Sequence, residues 1–494
     1  MKFVYFYARL LGVAVVSLLS SASVFAGQSD TFARGAISER VVCRAAADQS
    51  YALFLPAGYT PQKRWPIIYC FDPAARGRVP LERFKAAAEK YGVIVAGSNN
   101  SRNGAGDVAA AVRAMMNDTR ERLALDPRRV YTAGFSGGGR VATGVALSLG
   151  NAVAGVIACG GGFPATAAPT RSVTFALFAT AGREDFNYPE MRNLTRAFDR
   201  LGLANRFATF DGGHDWLPAA LAEEAIAWLE LQAMKSERRA RDEALINEWF
   251  EQSVSRARAA EAAGKSYEAY IRFNDAASDF KGLREVAEVE RRAAELKDAN
   301  AVKQAIKQED EQEREQQTRV KELYKLKASL RGQDERQELA PERLSDFGDQ
   351  PAKSSDERRQ AYADLQKNLA ALKKRSDAPP GSAERVVARR VINQFFVYLS
   401  EEASILQQRK QYAAAAESLS LAILIAPDNP RLLYNLACAY ALNRDRRNAL
   451  DALRRAVAKG FKDAAAIEGD KDLEGLRDDP AYKQIVEELK NRRQ

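Results

Sequence analysis

The sequence is poor in side chains that hold metal ions, and it carries no block of one charge. Its 494 residues include one histidine and four cysteines, and none of the cysteines forms a Cys-x-x-Cys pair. Zinc sites need clustered thiolates or several imidazoles, so we expect neither a metal site nor a cofactor. Lys and Arg exceed Asp and Glu to give a net charge of +9, with the two signs interspersed. Nucleic acid is therefore not an expected partner, because binding it takes a basic patch or stripe.

Long apolar runs are also scarce, and the one of note lies at the N-terminus. Lys2 and Arg9 precede an apolar run at residues 10–19, and small residues follow up to Ala26. A basic flank, a short apolar core and a small final residue are typical of a secretory signal peptide. We expect residues 1–26 to be removed, leaving a periplasmic or secreted protein without a transmembrane span. A retained membrane anchor is the alternative, although a span takes about 20 apolar residues.

The four cysteines, Cys43, Cys70, Cys159 and Cys438, are far apart in the sequence. Export would permit disulfides between them. Cys70 and Cys159, however, lie inside apolar, strand-like runs, where a buried free thiol is the simpler interpretation. The sequence leaves both states open.

Composition changes sharply near residue 235. Residues 27–235 contain 24 Lys and Arg with 19 Asp and Glu, whereas residues 236–494 contain 48 and 46. The second part is also poor in glycine and in β-branched runs, which predicts helix almost throughout.

The first part alternates short apolar runs with helical stretches. Seven runs predict strands, at residues 50–55, 66–71, 92–96, 129–133, 154–158, 173–178 and 206–210. Helices are predicted between several of them, at residues 81–91, 106–125 and 217–231. Continuous apolar strands separated by helices are typical of a mostly parallel sheet covered on both faces. We therefore expect a three-layer α/β fold.

The end of the chain contains a 34-residue repeat. Ala415 and Ala422 recur as Ala449 and Ala456. Three further pairs share this offset: Leu399 and Leu433, Ala403 and Ala437, Leu419 and Leu453. Small alanines let paired helices approach closely, while leucines fill the groove between them. The pattern resembles tetratricopeptide repeats over about residues 393–460, and the resemblance implies a surface that binds a protein partner.

The remaining helical region is less regular. A weaker copy of the repeat lies within residues 245–280, where Arg256 occupies a position that the pattern assigns to an apolar residue. A charged stretch at residues 286–330 is expected to be a solvated helix, with a partner-binding helix as the alternative. Residues 331–334 and 377–382 carry loop signals.

These observations predict the following order of segments: a signal peptide (1–26), the α/β domain (27–235), a helical segment with a tetratricopeptide-like unit (236–300), a charged helix and linker (301–384), and tetratricopeptide-like repeats with a capping helix (385–494).

One motif in the α/β domain indicates chemistry. Gly134-Phe135-Ser136-Gly137-Gly138 directly follows a predicted strand, and a predicted helix comes next. A serine on a tight strand-to-helix turn needs glycine at both flanking positions, since a side chain there would collide with neighbouring backbone. The N–H groups that open the helix would point toward negative charge developing near Ser136. We therefore predict that Ser136 is a nucleophile.

A serine hydroxyl needs a base, and His214 is the only histidine available. His214 lies in a Gly-flanked loop after the last predicted strand. Asp185 follows the preceding strand, so that Ser136, Asp185 and His214 occur in the chain order found in α/β-hydrolases. Glu184 is the competing acid. Asp211 and Asp215 are expected to be loop carboxylates, since they are too close to His214 along the chain to approach it from behind.

Residues 40–232 thus resemble an α/β-hydrolase, similar to polyhydroxyalkanoate depolymerases and bacterial feruloyl esterases. The resemblance implies a central, mostly parallel sheet, an acyl-enzyme intermediate, and a Ser136, His214 and Asp185 triad. Many such esterases carry a His-Gly pair after the third strand, whereas residues 71–77 here read Phe-Asp-Pro-Ala-Ala-Arg-Gly.

The oxyanion hole is therefore expected to use the backbone N–H groups of Gly137 and Ala74. Asn99 and Asn100, in the loop after the 92–96 strand, are candidate substrate-binding residues, with a polar surface turn as the alternative. Trp216 is expected to be a substrate wall, or otherwise part of the core. The connection at residues 160–172 is too short to form a lid, which favours an open cleft for a bulky or polymeric ester.

Two functions remain in view. The first is an exported serine hydrolase, most simply a carboxylesterase acting on a small-molecule or polymeric ester, with amide or peptide hydrolysis as a variant. The second is an exported scaffold whose repeats bind another protein and whose hydrolase-like domain is inactive. The presence of Ser136, Asp185 and His214 together favours the enzyme.

Overall fold

The computed structural model describes residues 32–104, 106–330 and 354–491. The predicted signal peptide and the loop signal at residues 331–334 lie outside the described residues. In the described part of the chain, no helix is both long enough and apolar enough to cross a membrane.

Eight strands form one sheet. Their bounds are β1 (Ile37–Cys43), β2 (Ala46–Phe54), β3 (Trp65–Phe71), β4 (Ile94–Ser98), β5 (Leu125–Phe135), β6 (Gly155–Cys159), β7 (Ala176–Gly182) and β8 (Asn205–Phe210). The order across the sheet is β1-β2-β4-β3-β5-β6-β7-β8. β2 runs antiparallel to β1 and to β4, and every later pair of neighbours runs parallel.

Five helices cover this sheet: α1 (Arg78–Tyr91), α2 (Val108–Arg122), α3 (Gly137–Leu149), α4 (Tyr188–Leu201) and α5 (Ala219–Lys235). Ile68 and Cys70 of β3 share a core with α1 and α5. Tyr69, between them, points to the other face, where its hydroxyl bonds Thr119 of α2 at 2.8 Å. Because both faces are covered, β3 is buried along its whole length, which explains its continuous apolar sequence. The fold-class prediction is confirmed: this part of the chain has the α/β-hydrolase fold.

Each of the seven predicted strands overlaps one of β2 to β8. The run at residues 173–178 is shifted, since β7 begins at Ala176 and continues to Gly182. β1 was not predicted. It is an edge strand whose sequence, Ile-Ser-Glu-Arg-Val-Val-Cys, mixes charged and apolar residues because only part of it is buried.

The described residues beyond the α/β domain are mostly helical. The first helices are α6 (Glu243–Ala262), α7 (Ser266–Phe280), α8 (Ala287–Asp298), α9 (Asn300–Ala328) and α10 (Ser355–Ser376). They are followed by α11 (Ala383–Gln408), α12 (Tyr412–Ile425), α13 (Pro430–Leu442), α14 (Arg446–Ala458), α15 (Ala464–Gly469) and α16 (Pro480–Asn491). The five residue pairs of the 34-residue repeat are all buried. The assignment to tetratricopeptide repeats stays a prediction.

Helix α9 differs from its expectation. Its sequence predicted a solvated helix, yet Glu313 and Gln316 are buried against the α/β domain. Glu313 pairs with Arg192 of α4 at 2.6 Å, and Asp310 pairs with the same guanidinium at 2.8 Å. The prediction was wrong for one face of α9, because Asp310 and Glu313 pair with Arg192 of α4, whereas the other faces keep exposed charges such as Lys307 and Glu311.

Candidate active site

Ser136 is the single residue between β5 and α3, and its backbone is strained. Its φ is 53° and its ψ is −122°, a conformation that a residue with a side chain rarely adopts. The turn is held by the Ser136 N–H, which donates to the carbonyl oxygen of Cys159 at 2.8 Å. The serine is half-buried at the start of the helix, as a nucleophile turn requires.

The glycines around the serine are needed for close backbone packing. A Cβ on Gly134 would lie 1.9 Å from the carbonyl oxygen of Gly138, and a Cβ on Gly138 would lie 1.9 Å from the carbonyl oxygen of Phe71. Both distances are far below van der Waals contact. The motif therefore lets α3 approach the end of β5 and β3, and this fixes where Ser136 stands.

Asp185 and His214 lie in contact in the loops that follow β7 and β8. His214 Nδ1 is 2.9 Å from Asp185 Oδ1, and that oxygen also accepts the Asn187 N–H at 2.8 Å. Asp185 is fully buried, whereas His214 keeps 18% of its side chain exposed. The imidazole lies between two aromatic rings, Phe135 at 4.5 Å and Phe186 at 4.3 Å between ring centroids.

Two consecutive glycines after β6 lie between the serine and this pair. A Cβ on Gly160 would lie 2.6 Å from Asp185 Oδ2 and 3.1 Å from His214 Nδ1. A Cβ on Gly161 would lie 2.9 Å from the Cα of Ser136. The three residues singled out in the sequence thus lie around the carboxyl ends of β5, β7 and β8, on either side of Gly160 and Gly161. His214 Nδ1 is bonded to Asp185, and no hydrogen bond within the described residues joins the imidazole to Ser136 Oγ.

The competing carboxylates have other partners. Glu184 accepts hydrogen bonds from Arg385 and Arg389 of α11, at 2.7 and 2.9 Å. Asp211 is almost fully exposed and lies 3.3 Å from Arg183. Asp215 bonds its neighbour's backbone N–H and pairs with a surface arginine. The carboxylate that contacts the imidazole is therefore that of Asp185.

Of the two N–H groups expected to form the oxyanion hole, that of Gly137 is free of an intrahelical acceptor and that of Ala74 is already bonded. The N–H of Gly137 is the first in α3, and such groups lack an intrahelical acceptor. The N–H of Ala74 instead donates to Asp72 Oδ1 at 2.9 Å. The prediction for Ala74 was wrong, because its N–H is taken up by the carboxylate two residues earlier.

Asp72 organises the loop after β3, a role that no sequence pattern predicted. It is fully buried and accepts hydrogen bonds from Arg76 and from Trp216 Nε1, the latter at 3.0 Å. Burial alone would raise the pKa of its carboxyl, but these hydrogen bonds and that from Ala74 outweigh burial and lower the pKa. Asp72 therefore stays charged and ties this loop to the segment that follows His214.

Trp216 belongs to the core rather than to a substrate wall. Only 1% of its surface is exposed, and its ring packs against Phe84 and Phe135. The expectation of a wall was wrong because the side chain turns inward to reach the buried carboxylate of Asp72.

Asn99 and Asn100 hold the β1–β2 hairpin. Asn99 Nδ2 donates to the carbonyl oxygen of Glu39 at 3.1 Å. Asn100 accepts the Ser50 N–H at 2.9 Å and donates to the carbonyl oxygen of Asp48. Both side chains therefore tie this loop to the β1–β2 hairpin, and their substrate-binding role stays a prediction.

Asn103, in the same loop, is the residue that reaches the serine turn. Its side-chain nitrogen and oxygen lie 2.1 and 2.2 Å from the position that a Cβ on Gly137 would take. Its backbone N–H donates to the carbonyl oxygen of Pro73 at 2.9 Å, which links it to the loop after β3. No hydrogen bond within the described residues engages its carboxamide. The Asn103 carboxamide fits here because Gly137 has no side chain. No sequence pattern predicts this contact, since it depends on the path of the folded loop.

The short connection between β6 and β7 contains no helix, as expected, but the site is not bordered by the α/β domain alone. Gln316 of α9 donates to the carbonyl oxygen of Phe186 at 2.8 Å. Arg390 of α11 donates to the carbonyl oxygen of Arg183 at 2.7 Å. The C-terminal helices therefore lie beside the loop that carries Asp185, which qualifies the expectation of an open cleft.

The four cysteines are free and buried. In the described part of the chain, the group best placed to share an ion is Cys438 with Asp470 and Asp472, far from Ser136. There the thiol lies 3.6 Å from Asp470 Oδ2, which also accepts the Tyr434 hydroxyl. Burial and the nearby carboxylates raise the pKa of the Cys438 thiol.

No protein-family model matches the sequence, and no curated protein matches it significantly. Solved structures with a similar arrangement are esterases and other serine hydrolases. A ferulic acid esterase is 18% identical, with 39% of this chain and 97% of that chain covered and a TM-score of 0.34. An S-formylglutathione hydrolase from Staphylococcus aureus is 15% identical over 37% and 90%, with a TM-score of 0.30. A fluorophosphonate-binding serine hydrolase from the same organism is 14% identical over 40% and 99%, with a TM-score of 0.33.

These likenesses are too distant to carry an argument about activity. The α/β-hydrolase fold of this chain rests instead on its own strand order, its pattern of parallel pairs and the helices on both faces of the sheet.

Proposed function

We propose that the chain is a serine hydrolase that cleaves carboxylic esters through an acyl-enzyme. One observation supports this most strongly. The only imidazole of the chain is bonded to a buried carboxylate, beside a serine on a strained strand-to-helix turn. This combination is rare in structural roles, because both the strain and the burial of Asp185 need compensation elsewhere.

In this proposal Asp185 fixes the tautomer of the base. With the Nδ1 proton donated to Asp185 Oδ1, the lone pair of His214 Nε2 is free to accept a proton. Ser136 Oγ attacks the ester carbonyl carbon while its proton passes to Nε2. The aspartate stays ionised and stabilises the imidazolium that results.

The tetrahedral intermediate places a negative charge on the former carbonyl oxygen. The Gly137 N–H at the start of α3 is one donor to it, supported by the positive end of the helix dipole. We propose the Asn103 carboxamide as the second donor, in the place expected for Ala74. It lies against the same peptide and has no competing acceptor within the described residues.

The remaining steps release two products. The C–O bond to the leaving alcohol breaks, and the alkoxide takes the proton from His214 Nε2. Water then attacks the acyl carbon and gives its proton to the same nitrogen, which returns it to Ser136 Oγ as the acid leaves. An ester suits this site better than an amide because the alcohol is the easier leaving group.

Export and a protein partner are further parts of the proposal. The N-terminal signal-peptide pattern supports export to the periplasm or beyond. The 34-residue repeat supports a partner-binding surface in the helical region.

The test uses residues 27–494 with short-chain p-nitrophenyl esters, beside Ser136→Ala and His214→Ala. We expect saturable hydrolysis in the parent and its loss in both variants, with the thermal midpoint unchanged. Absence of hydrolysis in the parent across acyl chains of two to eight carbons would instead favour the scaffold with an inactive hydrolase-like domain.

A further inference from the structure

Side chains of α9 and α11 form hydrogen bonds and ion pairs with the loop that carries Asp185. We define the acid loop as residues 183–187, between β7 and α4. Within it, both carboxylate oxygens of Glu184 accept hydrogen bonds, from Arg385 Nε at 2.7 Å and from Arg389 Nη1 at 2.9 Å. Glu184 keeps only 14% of its side chain exposed and Arg385 19%, so water screens this pair weakly, whereas Arg389 is 39% exposed.

The backbone of the acid loop is held from the same side. Arg390 Nε donates to the carbonyl oxygen of Arg183, and Gln316 Nε2 donates to that of Phe186. Arg390 is itself buried, with 2% exposed, and its guanidinium lies over the Tyr188 ring at 3.9 Å. Residues on both sides of Asp185 are therefore bonded by Gln316 of α9 and Arg390 of α11, which lie 130 and 207 residues beyond their partners in the chain.

The Asp185 side chain has little else to hold it. One oxygen bonds His214 and the Asn187 N–H, while Oδ2 is buried without a partner in the described part of the chain. Its position consequently depends on the backbone of the acid loop. Phe186 transmits the same restraint to the imidazole, because its ring packs on His214.

We propose that Glu184, together with Arg385 and Arg389, forms a positioning device through which the helical region completes the active site. These residues act on the reaction through Asp185 and do not touch the substrate. The inference rests on the proposed function. Under this inference, the helical region contributes to catalysis by positioning the acid loop, in addition to any partner that it binds.

The size of the effect follows from the geometry of proton transfer. Without the ion pairs, Glu184 no longer holds the middle of the acid loop. The hydrogen bonds to the carbonyl oxygens of Arg183 and Phe186 remain. A displacement of about 1 Å at a reacting group lowers rates by roughly 100-fold, so we expect a loss of about 10- to 100-fold in kcat. The KM should change little, because these residues act through Asp185 and do not touch the substrate.

The experiment compares Glu184→Gln with a matched control in residues 27–494. Arg196→Gln is the control, because Arg196 Nη2 pairs with Asp310 Oδ1 at 2.8 Å and so also joins α4 to α9, away from the acid loop. With p-nitrophenyl acetate we expect kcat to fall in Glu184→Gln and to stay at the parental value in Arg196→Gln. Arg389→Gln, which leaves Arg385 in place, should give a smaller loss and serves if Glu184→Gln does not fold.

A charge exchange separates positioning from a direct role of Glu184. Arg385→Glu with Arg389→Glu should lower kcat, and adding Glu184→Arg should restore much of it. Recovery is incompatible with Glu184 as a proton-transfer group.

Parental kcat in Glu184→Gln and Arg389→Gln would overturn the inference while the hydrolase proposal stands, and so would an equal loss in Arg196→Gln. A parent that neither hydrolyses esters nor reacts with a fluorophosphonate at Ser136 would overturn both.

Discussion

Replacing Asp185 with asparagine tests how the structure orients its only imidazole. Asp185 Oδ1 accepts hydrogen bonds from His214 Nδ1 and from the Asn187 N–H, while Oδ2 has no partner in the described part of the chain. In Asp185→Asn the amide oxygen must take the Oδ1 position, because an NH2 group there would face the N–H of Asn187. The proton then stays on Nδ1, and Nε2 remains available as the base.

Asp185→Asn therefore removes the negative charge beside His214 but leaves the imidazole in the same tautomer. A hydrogen bond to a charged group contributes about 1.5–3 kcal/mol, against about 1 kcal/mol for a neutral pair. The difference of about 0.5–2 kcal/mol corresponds to roughly a 2- to 30-fold fall in kcat. An inverted tautomer would cost about 10⁴-fold. The buried NH2 group, left without an acceptor, should also lower stability by about 1–3 kcal/mol.

The assay is kcat for p-nitrophenyl acetate at a temperature well below the thermal midpoint of the variant. A fall in kcat near 10⁴-fold would show that the amide in Asp185→Asn had flipped, with its NH2 group toward His214. That result would contradict the prediction that the N–H of Asn187 holds the amide oxygen in the Oδ1 position. An unchanged kcat would refute the role of Asp185 itself.

Three further predictions concern the surroundings of the site and the helical region. Asn103→Ala should lower kcat by roughly 100- to 1,000-fold, as loss of an oxyanion donor does, whereas Asn100→Ala should lower the thermal midpoint and leave kcat near the parental value. Gly134→Ala should destabilise the chain by at least about 1–3 kcal/mol in chemical unfolding, since its Cβ would lie 1.9 Å from the carbonyl oxygen of Gly138. Burial raises the pKa of Asp275 to about 7, so between about pH 4 and pH 7 the folded chain keeps a proton that the unfolded chain has lost. The Asp275 carboxyl therefore lowers the stability of the folded chain as the pH rises from about 4 to 7. The difference in thermal midpoint between Asp275→Asn and the parent should consequently be more favourable to the variant at about pH 8 than at about pH 4.

Much of the sheet could be predicted because its strands are buried on both faces. β3 is apolar from end to end, so its sequence signal survives without knowledge of its neighbours. The serine turn could be predicted for a related reason, because Gly134 and Gly138 are demanded by local backbone packing. β1 escaped prediction since an edge strand with a single neighbour needs few apolar residues.

The details of the site depended on contacts that the sequence does not encode locally. Which asparagine of one loop reaches Ser136 is set by the path of the loop, and Asn103 rather than Asn99 or Asn100 lies there. The N–H of Ala74 is occupied because Asp72 is held by Trp216, from a distant part of the chain.

The docking of the helical region was hidden for a different reason. Glu313 and Arg390 would ordinarily be exposed charges, and only their partners on the α/β domain explain why both are buried. Charge patterns along one helix do not reveal a partner of opposite charge on another element.

The most direct test of the account is the site at which a fluorophosphonate reacts with residues 27–494. Peptide mapping by mass spectrometry should find a single adduct on Ser136, formed rapidly in the parent and slowly in His214→Ala. Absence of that adduct, or equal rates in the two proteins, would contradict the claim that His214 activates Ser136 as a nucleophile.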